Sequence, residues 1–108
     1  MIHSGDCFCS GFGNTWQIES IDAGFARCAR VAVLGAPQYD NAGTPHDLRA
    51  IAPRILDESP LYLLGYAAWG TGRTPNPYPV GTLAARGWDD GYYAAEADGV
   101  AYAERDRS

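Results

Sequence analysis

The apolar positions change their period near the middle of the chain. In TWQIESI (15–21), Trp16 and Ile18 alternate with polar neighbours in a strand-like manner, and DAG (22–24) supplies a turn. FARCARVAVLG (25–35) follows, with Phe25, Val31, Val33 and Leu34 apolar. Two apolar runs around a Gly-containing turn predict a β-hairpin, although ARCARVAVL can also be drawn as a buried helix. Residues 1–13 are Gly-rich and read as irregular, and GAPQYDNAGTP (35–45) reads as a loop.

From about residue 45 the pattern turns helical. Thr44 as cap, Pro45 in the first turn and Asp47 at the positive end of the dipole predict a helix through HDLRAIAPRILDE, with Pro53 breaking or kinking it. Ser59-Pro60 opens a second helix over 61–70, where Leu61, Leu64 and Ala68 share one face and Tyr62, Tyr66 and Trp69 lie alongside. TGRTPNPYPVG (71–81) is a tight connector. Thr82 then caps a last helix over 83–97 with Ala84, Trp88, Tyr92 and Ala95 on one stripe. Asp89, Asp90 and Glu96 fall away from that stripe. DGV (98–100) is expected to end the helix, leaving AYAERDRS as a frayed tail. The expected fold class is α+β, one domain over 1–108. An N-terminal β-hairpin or small antiparallel sheet (the β-rich part, 1–45) packs against C-terminal helices, the last two as a helix-loop-helix over 60–100.

Composition narrows the function more than the fold. At 108 residues and 46% hydrophobic, the chain can bury a modest core. Its formal net charge is −5, and all eight basic residues are Arg. Binding through nucleic-acid phosphates needs surplus cations, so direct nucleic-acid contact is not expected. The start, MIHSGDCFCS, lacks the basic and apolar runs of a signal peptide, and no stretch approaches the roughly 18 apolar residues of a membrane helix. Three cysteines, an odd number, fit free thiols in a reducing compartment. These features predict a cytoplasmic protein without membrane contact.

Catalytic chemistry finds little support. His3, Cys7 and Cys9 are close in sequence, but Cys-x-Cys with Cys28 and His46 scattered elsewhere lacks zinc-ligand spacing. GFG and GTGRT lack the Gly-Lys-Ser/Thr ending of a phosphate loop. Ser4 beside His3 is not a nucleophile–base arrangement. Adjacent Asp89 and Asp90 point about 100° apart on a helix, so they cannot act as acid and base across one bond. No catalytic residue, metal or cofactor is expected, and the chain reads as a non-enzyme.

Three pieces of the second half occur in a familiar order: GYAAWGTGR at 65–73, NPY at 76–78 and WDDGY at 88–92. Together they resemble the ribosome modulation factor family, small bacterial proteins of two short helices joined by a loop. The resemblance covers about residues 60–100 and falls on Gly65, Tyr66, Ala68, Gly72, Arg73, Pro77, Tyr78, Trp88, Gly91 and Tyr92. It implies that Trp88 and Tyr92 lie over the preceding helix, with a glycine there allowing close approach. The family silences ribosomes by sitting on ribosomal RNA with a strongly basic chain. Here about sixty residues precede the motif and the charge balance is inverted.

That inversion shapes the functional expectation. A small, acidic, compact chain without a catalytic signature suits an inhibitor whose acidic face imitates nucleic acid. Its partner would be a host protein or nucleoprotein complex with a basic groove. By size and charge, phage-borne anti-defence proteins such as anti-CRISPR proteins are of this kind. The expected partner-binding residues are Asp89, Asp90 and Glu96, with Arg73 and Tyr93. The alternative is a ribosome-associated translation regulator of the resembled type. The sequence leaves the oligomeric state open.

Overall fold

The computed structural model describes residues 2–72 and 74–106, with side chains up to 99. It is an α+β fold. Four antiparallel strands lie in sequential order: β1 (Cys7–Ser10), β2 (Asn14–Asp22), β3 (Phe25–Val33) and β4 (Ala36–Asp47). Three helices follow: α1 (Leu48–Ile51), extended by a 3-10 turn at Ala52–Arg54, then α2 (Pro60–Gly70) and α3 (Leu83–Asp106). The expected hairpin is β2–β3, with Asp22 paired to Phe25 across the turn, so ARCARVAVL is strand.

Four expectations need correction. Residues 7–10 are not irregular but form β1, with Cys7 opposite Gln17 and Ser10 opposite Asn14. The loop expected over 35–45 is most of β4. Its Gly, Pro and Asn mark a two-residue turn at Leu34-Gly35 and an irregularity around Asn41 and Gly43, both at positive φ. Pro37 and Pro45 are tolerated because β4 is an edge strand. Thr44 and Pro45 consequently pair with Cys28 and Arg27 rather than starting a helix. The cap is Asp47, whose carboxylate accepts from Arg49 N, and Pro53 lies in the 3-10 turn that closes this short helix. Finally, α3 runs past the expected stop at 98–100 to Asp106. Gly99 lies inside the helix and leaves room for Trp69: a Cβ there would lie 2.2 Å from the indole.

Strand alternation sends neighbouring side chains to opposite faces, and both faces are covered. On one face Phe8, Trp16, Ile18, Ala26 and Cys28 pack with Ile51 of α1, and His46 sets its ring edge-on to Phe8 and Trp16. On the other face Cys7 and Val31 meet Leu61 and Ala68 of α2, Tyr78, and Ala84, Ala85 and Trp88 of α3. Alternation along β3 sends Cys28 to one core and Val31 to the other, and the register shifts between Cys28 and Arg30 and between Arg30 and Ala32 place their extra residues on the edge strand β4.

Ser59 caps α2 by accepting from Tyr62 N, and Pro60 occupies the first turn, as its sequence predicts. α2 and α3 approach through two glycines. A Cβ on Gly65 would lie 1.9 Å from Trp88 O, and one on Gly91 would lie 1.9 Å from Tyr62 O. Each glycine accommodates the other helix's backbone. Trp88 and Tyr92 were expected to pack on Leu61, Leu64 or Ala68; Trp88 shares one core cluster with Leu61 and Ala68, and Tyr92 and Leu64 pack against that cluster.

Gly65→Ala and Gly91→Ala should each destabilise the fold by about 2 kcal/mol or more in urea unfolding, since overpacking outweighs a helix-propensity gain of about 1 kcal/mol. Trp88→Ala should cost about 3–5 kcal/mol by the same measurement. Stability equal to or above the parent for both glycine variants would rule out the close crossing.

Candidate partner-binding groove

The connector between α2 and α3 is fixed at four points. Thr71 closes α2, its backbone and hydroxyl both donating to Ala67 O. Asn76 uses its whole amide: Nδ2 donates to Ala85 O at 2.9 Å and to Asp89 Oδ1 at 3.0 Å, while Oδ1 accepts from Tyr78 N at 2.9 Å. Tyr78 is buried and its hydroxyl donates to Val31 O at 2.5 Å, tying the connector to the sheet. Thr82 then caps α3, accepting from Ala85 N and donating to Pro79 O. Pro77 and Pro79 limit the backbone further.

This bracing leaves a groove of about 520 Å³ between the connector and the first turns of α3. Asn76, Tyr78, Val80, Arg86, Asp89, Asp90 and Tyr93 line it. Val80 at its lip is 100% exposed and Tyr93 is 62% exposed. The groove occupies NPYPVGTLAARGWDDGYY, so the most patterned stretch of the sequence has two sides. Trp88 and Tyr92 stack at 5.2 Å toward α2, and Tyr93 meets Tyr92 edge-on at 5.7 Å on the way out. The aromatics facing inward build the core, while the acids face the groove.

The expected partner-binding residues divide accordingly. Asp89, Asp90 and Tyr93 come together in the groove. Glu96 is exposed one turn beyond Tyr93 on the same side of α3, outside the lining. Arg73 lies outside the described residues. Asp89 differs from a free surface acid, because it is half-buried and holds Asn76. Sequence reasoning did not single out Asn76, Val80 or Asp98. Asn76 had a readable signal, an Asn placed to bond its own backbone two residues on. Asp98 accepts from Tyr66 Oη at 2.6 Å across the helix pair, and that bond raises the Tyr66 pKa. Between Leu83 and Gly99, α3 carries four acids and one Arg, a formal −3. Among the described residues the ion pair is Arg30–Asp40 on the sheet, so the acids of α3 are not neutralised by salt bridges there.

His3, Cys7 and Cys9 do not converge: Cys7 is buried and Cys9 is exposed, and among the described residues no group of three His, Cys, Asp or Glu could hold a metal. Among them no helix is long and apolar enough to cross a membrane. Comparison of the chain with known families, curated proteins and solved structures finds no match.

Burial dominates the titration of the two cores, that of Cys7 and Tyr78 under the helices and that of Cys28 on the other face of the sheet. It pushes the Cys7 thiol to about 12, the Cys28 thiol to about 11 and the Tyr78 hydroxyl to about 12. Raised pKa values mean that the folded state holds these protons more tightly than the unfolded chain. Their stabilisation is complete below the ordinary thiol value of 9.0 and falls as pH rises toward 11 and 12. Unfolding midpoints should therefore drop between these limits, and Cys28→Ser should make the drop shallower. Tyr78→Phe should cost about 1–3 kcal/mol by leaving Val31 O unpaired. An alkaline profile unchanged by Cys28→Ser would argue against burial of that thiol.

Proposed function

We propose that this chain is a non-enzymatic binding protein that docks its α3 groove on the basic surface of a host nucleoprotein complex and inhibits it, in the manner of a phage anti-defence protein. The observation that supports this is the placement of Asp89, Asp90 and Tyr93 in one braced groove with Val80 exposed at the lip. Carboxylates beside an accessible tyrosine suit arginine and lysine side chains: Coulomb attraction speeds the encounter, and the ring offers a cation–π face. A connector held by Asn76 and Tyr78 presents this surface with little ordering left to do on binding. The protein is proposed to act in the cytoplasm, without cofactor.

The second reading, a ribosome-associated regulator resembling ribosome modulation factor, is favoured by one specific observation. Gly65, Trp88 and Gly91 meet at the helix crossing, and Tyr78 anchors the loop, in a helix-loop-helix of the kind the resemblance implies. Under this reading contact with the ribosome is made through its basic proteins, because the acids of α3 repel RNA phosphates.

Capture from bacterial lysate on immobilised chain, with mass spectrometry, tests both readings. The expected result is retention of a nucleic-acid-binding complex that is lost as salt rises. Asp90→Arg with Glu96→Arg should lower the association rate at least tenfold while changing stability by about 0.5 kcal/mol or less per site. Asp89 is left in place because it holds the connector. Retention unaffected by salt and by the double reversal would exclude the acidic-face mechanism, and retained ribosomes would select the second reading.

A further inference from the structure

Helix α2 reads PLYLLGYAAWG and has no charged side chain on any face. A helix that is apolar all round normally lies in an interior. Yet α2 is covered on only part of its circumference. α3 takes Leu61, Gly65 and Ala68, while Leu63 is left 51% exposed and Tyr62 and Tyr66 each 39% exposed. Tyr62 and Tyr66 stack on each other along this outward side. The apolar surface continues over a hollow of about 260 Å³ between Thr15, Ala32 and Gly35 of the sheet and Pro60, Leu63 and Leu64 of α2.

Beyond the hollow, two turns at one end of the sheet carry Leu34, 81% exposed, and Phe12, 95% exposed. The turns touch: Leu34 N donates to Gly13 O at 2.8 Å, and the leucine side chain lies over Gly13. Leu34 holds φ at 51° and Gly35 at 81°, the two-residue hairpin turn that usually begins with Asn, Asp or Gly. A leucine in the left-handed region is strained, and here the strain keeps an apolar side chain in water. Two charged residues border this face: Glu58 near Tyr62 and Leu63, and Asp98, which accepts from the Tyr66 hydroxyl.

We infer that this face docks a second copy of the same chain about a two-fold axis, with Leu34 and Phe12 of each copy entering the hollow beside the other's α2. This inference is independent of the function proposed for α3. Charge supports it first. Each copy carries −5, so two copies meet with least repulsion across a helix without charges of its own, at whose edge Asp98 of α3 is held by the Tyr66 hydroxyl. Geometry supports it second, because a knob and a hollow side by side on one face are what an isologous contact requires. Area is the third argument. At about 200 Å² per fully exposed large side chain, these five residues present roughly 600 Å² per copy, or about 1,200 Å² in the pair. That is the lower end of specific interfaces, so the dimer is weak and concentration-dependent.

Sedimentation equilibrium of the full chain from about 10 μM to about 1 mM tests this, a range that spans weak dissociation constants. The expected mass rises from 11.6 kDa toward twice that value. Leu63→Glu should remain monomeric. Leu34→Gly places the residue preferred at this φ, so it should fold at least as well as the parent and dimerise at least tenfold more weakly. Leu34→Gly therefore decides the matter even if Leu63→Glu fails to fold. A single monomeric mass across the range overturns the inference, including where the face instead binds lipid vesicles or another protein. Unweakened dimerisation of Leu34→Gly overturns it as well.

Discussion

The crossing of α2 and α3 at Gly65 and Gly91 sets the geometry of everything outward from it. Each glycine faces the other helix's main chain, at a carbonyl where a Cβ would stand 1.9 Å away. Such a contact admits neither a shift along the helices nor a rotation about them, because interiors pack without slack. With both rotations fixed, Trp88 and Tyr92 must face α2, and Tyr62, Leu63 and Tyr66 must face away from the core. Asp89, Asp90 and Tyr93 are turned to the connector for the same reason. The two exposed surfaces with the most distinctive chemistry are thus consequences of a single close approach.

A second constraint joins the helix pair to the sheet. Tyr78 places a phenol in the core and spends its hydroxyl on Val31 O, the carbonyl of the residue that β3 inserts opposite Thr15 and Trp16 of β2. Such a buried hydrogen bond adds modest net stability, about 1 kcal/mol, but costs more than that to leave half-made. It therefore acts chiefly to select one position for the connector. Asn76 carries the selection to α3 through Ala85 O and Asp89. The half-burial of Asp89 follows: one of the two adjacent acids braces the groove from within, while Asp90 stays exposed.

Where the local signals in the sequence were redundant, they were enough to place the element. Ser59-Pro60 marks the start of α2 twice, by cap and by ring, and the helix begins there. The β2–β3 hairpin was legible from two apolar runs about a turn. Signals that point both ways misled. Thr44-Pro45-Asp47 has the composition of a helix start, yet pairing with Arg27 and Cys28 in the sheet takes Thr44 and Pro45 into β4, and Asp47 alone remains to cap four residues. Proline and glycine in 35–45 suggested a loop because an edge strand and a loop tolerate the same residues. Gly99 suggested a helix end, yet the glycine sits inside α3 and makes room for Trp69, thirty residues away in sequence. At the groove the acids were visible, whereas the tie from Asn76 to Asp89 depends on a connector path that no local pattern encodes.

The two distinctive surfaces differ in the kind of contact they favour. The α3 groove offers charge, which acts over roughly the 8–10 Å Debye length of ordinary salt and raises encounter rates. The α2 face offers area without charge, which acts only on contact and is insensitive to salt. Since they lie on different arcs of the helix pair, use of one does not obstruct the other. A pair joined through α2 carries two acidic grooves held at a fixed separation. On a target with two basic sites at matching distance, the second engagement is intramolecular, so weak individual contacts can combine into tight binding. Such a pair would show a steeper salt dependence than a single groove, because twice as many charge contacts are lost together. Weak self-association would therefore be compatible with the proposed inhibition.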